Sequence, residues 1–210
     1  MPVVTELRAV RGGERFLIFI DDERLGSLDA VGLAEFRLAV GVHLTADQYA
    51  KLRRAVQLSE GYARAVRWLT AGDLAEAELG RRLGRLGLDT AAIADVTRKL
   101  RRLGFLDDAA FARRFVARGR RGRPLGERRL KFDLQHKGVD RALIDAAVDE
   151  ARANEDDLTV LRRHLSERPP ELPDLAALRR TVDRLQRRGF RFEHIRQVLK
   201  ELDAWPKDAP

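Results

Sequence analysis

RKLRRLGFLDDAAFARRFVARGRRGRPLGERRLKFDLQHKG, residues 98–138, is where the 210-residue chain gathers its charge. Between Arg98 and Phe132 there are 13 Lys or Arg against three acids, Asp107, Asp108 and Glu127, so 13 − 3 = +10. The whole chain carries only +8, which leaves 8 − 10 = −2 for everything else. The basic character is local, and a local excess of this size marks a surface that meets nucleic acid or an acidic protein face. Phe105, Leu106, Phe111, Phe115, Val116, Leu125, Leu130 and Leu134 recur through it at helical spacing. The stretch is therefore a folded basic element rather than a disordered tail.

Working outward, Gly138 has counterparts 51 residues away on either side, Gly87 and Gly189. Leu83, Leu134 and Leu185 stand four residues before these glycines, and Ile93, Ile144 and Ile195 stand six after. An apolar residue follows each glycine directly: Leu88, Val139 and Phe190. This predicts helix, glycine stop, helix, with the glycine in the left-handed position after a helix and the apolar residue plugging the corner. Asp89 and Asp140 stand where an N-cap is wanted, and Arg191 replaces the acid in the third copy. A further helix is expected before each pair, over 59–71, 107–119 and 154–167, with Asp73 and Asp107 as N-caps.

The N-terminus reads differently. Two β-prone runs flank Gly12-Gly13, Asp21-Asp22 is a second turn signal, and a third short strand spans about 24–28. A short helix follows over 28–39, and Thr45 with Gln48 makes a capping box for the next. The fold class is thus mainly α: tandem three-helix repeats in a curved elongated array, with a small N-terminal three-strand element. The expected divisions are 1–58, an accessory without which the rest should fold; repeats at 59–106, 107–153 and 154–205; and a tail, 206–210.

Composition narrows the chemistry. There is no cysteine, hence no disulfide and no thiolate nucleophile. No apolar run reaches the roughly 20 residues of a membrane span, and the N-terminus lacks a signal-peptide core. A soluble cytoplasmic protein is expected. No phosphate-binding glycine loop occurs, and His43, His136, His164 and His194 are scattered, so neither cofactor nor metal is expected. Asp107-Asp108 could hold magnesium for phosphodiester cleavage, but capping explains the pair better. The reading is non-enzymatic, with no small-molecule substrate.

Arg101, Arg102, Arg113, Arg114, Arg118, Arg120, Arg121, Arg123, Arg128, Arg129, Lys131 and Lys137 are the candidate contacts. Arginine outnumbers lysine among them, which favours bidentate contact with phosphate or carboxylate. Arg120 and Arg121 lie beyond the last apolar anchor of their helix, Val116, and are expected to be exposed. Phe105, Phe111, Phe115 and Phe132 are expected on the core face, so base stacking and sequence-specific readout are not indicated.

The central segment resembles the RecX regulators of the RecA recombinase. Gly104-Phe105-Leu106-Asp107-Asp108, then Phe111-Ala112, the basic run to a Gly-rich turn, Leu134, and Lys137-Gly138-Val139 carry the resemblance. Gly87, Gly104, Phe105, Asp107, Asp108, Phe111, Gly138 and Gly189 are its structural positions here. The flanking repeats and the N-terminal hairpin extend the likeness over nearly the whole chain; the third repeat departs in its RPPELP insertion and its missing cap acid. The resemblance implies a protein that binds RecA and lies along the groove of its filament on DNA; a monomer and non-specific contact with DNA are expected. The resemblance also implies inhibition of ATPase, strand exchange and coprotease activity, and so modulation of DNA repair, recombination and the SOS response. An autonomous DNA-binding protein or transcriptional repressor is the alternative reading of the same helices.

Overall fold

The computed structural model describes residues 1–10, 12–172 and 174–205. They fall into two compact units, divided between Leu106 and Asp107, and the expected tail, 206–210, lies outside the described residues.

The first unit begins with an antiparallel sheet in the order β1 (Val4–Ala9), β2 (Arg15–Ile20), β3 (Glu23–Asp29). Ile20 pairs with Glu23, so Asp21 and Asp22 are the two-residue hairpin loop. Both have positive φ, 49° and 67°, the mirror-image turn that suits strand twist. The sheet packs its Val4, Ile18, Ile20 and Leu28 on Leu52 and Val56 of α2. Between them lies α1 (Ala30–Glu35), shorter than the expected 28–39 because Asp29 caps it late and Arg37 turns to positive φ.

The helix α2 (Ala46–Ala71) has both halves of its capping box in place at Thr45 and Gln48. At 26 residues it runs about 39 Å without interruption. Its first half lies on the sheet, and its second half, through Ala65, joins Leu79, Leu83, Leu88, Val96 and Leu100 of α3 (Glu76–Arg85) and α4 (Thr90–Arg102). The expected division between residues 58 and 59 therefore falls inside one helix that serves two cores. A second correction concerns Asp73. α3 starts three residues later, at Glu76, with Ala75 at the cap position and no side-chain cap. Glu76 and Glu78 in its first turn supply the negative charge instead.

The second unit holds α5 (Asp108–Gly119), α6 (Glu127–Lys137), α7 (Arg141–Asn154), α8 (Asp157–Glu167), α9 (Leu175–Arg187) and α10 (Phe192–Glu201). The expected start of α8 at 154 moves to 157, because α7 runs to Asn154, Glu155 is extended, and Asp156 caps the next helix. Asp89, Asp107 and Asp140 cap α4, α5 and α7, and Arg191 makes no side-chain cap to α10. Among the described residues no strand follows β3.

The three glycine corners share one geometry. Gly87, Gly138 and Gly189 have φ of 85°, 84° and 92°. Each donates its N–H three residues back, and the plug residue after it donates five back, to Leu83, Leu134 or Leu185. That is the Schellman end of a helix, which satisfies carbonyls the helix leaves open. Gly104 ends α4 the same way, with φ 75° and Phe105 donating to Leu100.

Candidate binding face on the second three-helix repeat

The core of the second repeat fixes which way its charges face. Phe111, Ala112 and Val116 of α5, Leu130 and Leu134 of α6, and Ile144, Ala147 and Val148 of α7 are buried together. The opposite side of α5 carries Arg113, Arg114 and Arg118, all exposed, and Arg121 follows just past its end, also exposed. Offsets of zero, one and five residues keep the three helical arginines within an arc of about 140°. On α6 the exposed side carries Arg128 and Arg129. Arg123 lies exposed in the connection between the two helices.

These candidates do not have equal freedom. Among the described residues Arg113, Arg121, Arg123 and Arg128 have no carboxylate at ion-pair distance. Arg129 pairs with Asp133 at 2.9 Å, one turn along α6. Lys131 pairs with Asp145, and this contact is the main reason the Asp145 carboxyl lies below the ordinary aspartate range. Lys137 sits over the Phe115 ring, 5.6 Å from its centroid. Arg101 and Arg102 belong to the first unit, at the end of α4, where Arg101 pairs with Glu76.

Arg120 corrects the sequence reading. It is buried, 7% exposed, not part of the open face. Its guanidinium binds Asp157, itself 5% exposed at the start of α8. The same carboxylate accepts from the backbone N–H of Glu127 at 3.1 Å, at the start of α6. Arg163 of α8 reaches back to the Arg120 carbonyl at 3.4 Å, and Arg152 of α7 pairs with Glu127 at 2.8 Å. The cluster joins α5, α6, α7 and α8, so it holds the second repeat to the third. A second seam runs beside it. The Gly126 N–H donates to the Arg188 carbonyl at 2.8 Å, and a Cβ on Gly189 would collide with the Arg129 backbone nitrogen.

Two aromatics also stand elsewhere than expected. Phe111 is buried and Phe115 half-buried, but Phe105 is 43% and Phe132 50% exposed. Phe132 stacks on His136 with centroids 4.0 Å apart, and Arg129 lies 5.6 Å from its ring. The sequence held the signal: Phe132 is two residues from both Leu130 and Leu134, about 200° round the helix from the core. The Asp107 carboxylate accepts from the Ala110 N–H at 2.8 Å, which is its capping role.

A three-helix unit whose corners repeat across the chain, with one arginine-rich face, defines a helical-repeat protein. The family model described as "RecX, second three-helix domain" matches residues 107–148, the segment that carries that face. "Regulatory protein RecX" of Trichlorobacter lovleyi is 35% identical over 150 residues, covering 69% of this chain and 97% of that protein. "Regulatory protein RecX" of Bacillus subtilis is 26% identical over 207 residues, 97% of this chain and 78% of the other. A crystal structure of regulatory protein RecX superposes with a TM-score of 0.66 at 20% identity, over 95% of this chain and all of that one. RecX from Lactobacillus salivarius gives 0.57 at 22% identity, over 72% and 99%. The chain belongs to the RecX family of regulatory proteins.

Proposed function

We propose that this chain binds the RecA recombinase and its filament on DNA and, without chemistry of its own, lowers ATPase, strand-exchange and coprotease activity. It would act in the cytoplasm as a monomer, restraining recombination, repair and the SOS response. Family membership supports the regulatory role. The observation that carries the site is the α5 face: Arg113 and Arg121, exposed with no carboxylate at ion-pair distance among the described residues, beside exposed Arg114 and Arg118. Guanidinium groups left without acids bind phosphate or carboxylate bidentately once a partner supplies it. The buried Arg120–Asp157 pair ties the end of α5, which carries that face, to the starts of α6 and α8.

The test is the DNA-dependent ATPase of RecA from the same organism with increasing amounts of the pure chain. Inhibition that saturates near the concentration of RecA bound on DNA supports the reading. An unchanged rate at a large excess contradicts it.

The alternative, autonomous DNA binding, has one observation of its own in exposed Phe132 beside Arg129. It predicts duplex binding in the absence of RecA whose affinity falls steeply with salt.

A further inference from the structure

The third repeat contains a basic cleft that the α5 face does not include. It is a hollow of about 760 Å³ between the end of α8, the segment after it and α9, with Arg123 at its edge. Arg168, Arg184 and Arg188 line it together with His164, and Glu171 is the acid in its lining. Four arginines against one glutamate leave the lining at +3. Among the described residues none of these arginines has a carboxylate at ion-pair distance.

The groups are held in place from behind. Arg188 follows α9, and its carbonyl is fixed by the Gly126 N–H at 2.8 Å. Its half-buried guanidinium lies 3.4 Å from Nε2 of His164, a contact that needs the imidazole neutral at that nitrogen. Burial first, then Arg188, Arg168 and Arg184, push the His164 pKa down, while Glu167 pulls it up. Burial, Arg123 and Arg184 likewise lower Arg188. Like charges packed without a counterion destabilise a fold. Here they sit around an open hollow of ligand size.

We propose that this cleft is a phosphate-binding site that takes a phosphate ester, supplied either by a nucleic acid strand or by a free nucleotide. The arginines would grip the phosphate oxygens in pairs, and the incoming charge would offset the repulsion that, after burial, lowers the His164 pKa. The His164 pKa would rise on binding, and a proton taken up at Nε2 would release the Arg188 guanidinium from that nitrogen to the phosphate. The groups that face it are Arg188 and Arg184 from α9, Arg168 and Glu167 from the end of α8, and Arg123 and Glu171 from the connections. The site does not depend on the RecA reading, since it can be measured in the isolated chain.

The experiment uses the full chain at neutral pH. Inorganic phosphate and a short oligothymidylate are titrated separately, against chloride at matched ionic strength, while the His164 ring proton is followed by NMR and affinity by calorimetry. Phosphate should move the His164 resonance toward the imidazolium position, and chloride should not. The double change Arg168→Gln with Arg184→Gln, both exposed, should weaken binding about tenfold or more with melting preserved. Arg179→Gln with Arg180→Gln, an equal loss of charge on exposed positions of α9, should change it less than about twofold. Tighter binding of the oligothymidylate at this same resonance identifies a strand as the source, and its failure to displace phosphate identifies a free ester. The proposal is overturned if chloride matches phosphate, or if the two double variants weaken binding equally.

Discussion

Arg120 and Arg121 are neighbours in sequence and opposites in the fold. Arg120 is buried in an ion pair with Asp157 that ties the second repeat to the third. Arg121 is exposed, with no carboxylate beside it among the described residues. A charge count treats them alike, yet one is scaffold and the other is surface. The +10 of residues 98–132 is therefore part framework, and Arg113, Arg121, Arg123 and Arg128 are its exposed arginines with no carboxylate at ion-pair distance among the described residues.

The largest effect should come from breaking the scaffold half. Asp157→Ala leaves the buried Arg120 guanidinium with only the more distant Glu127 carboxylate, 3.9 Å away, and should cost about 3 kcal/mol, seen as a large fall in Tm. A loss below about 1 kcal/mol would show that water reaches the pair and that the cluster is not structural. Arg120→Glu should unfold the second unit comparably, so its effect on RecA would say nothing about the face.

The glycine corners sharpen the same contrast. Gly189→Ala meets the backbone of Arg129 and needs a positive φ, so on the order of 3 kcal/mol should be lost. Gly87→Ala needs the positive φ but meets open space, and about 1 kcal/mol should suffice. Equal losses in denaturant melts would mean that the backbone approach at Gly189 is slack. Smaller in scale is Asp107→Ala, which removes the cap of α5 and should cost about 1 kcal/mol by the same melts. The least stability effect belongs to the exposed face: Arg113→Glu with Arg121→Glu should shift stability by no more than about 0.5 kcal/mol.

What could be read from the sequence was local. The 51-residue spacing of Gly87, Gly138 and Gly189 carried the corners, because a left-handed helix end is fixed by the few residues around it. Asp89, Asp107 and Asp140 were legible as caps for the same reason. The burial of Arg120 was not, since its partner lies 37 residues away on another helix. The unbroken α2 was hidden because its two halves face different cores. The basic cleft left a faint trace: His164 with Arg168, and Arg184 with Arg188, stand four residues apart at two helix ends, which sets each pair on one side of its helix. Joining those pairs across two helices required the fold.

The central question is whether Arg113 and Arg121, rather than basic charge anywhere, restrain RecA. The direct measurement is the DNA-dependent ATPase of RecA with wild type, with Arg113→Glu/Arg121→Glu, and with Arg179→Glu/Arg180→Glu on the exposed positions of α9, all at equal ionic strength. Wild type and the α9 variant should inhibit, and the Arg113/Arg121 variant should lose inhibition by tenfold or more, on the order of 2 kcal/mol, with its melting unchanged. Equal inhibition by both variants would contradict the assignment and leave the face as solvated charge.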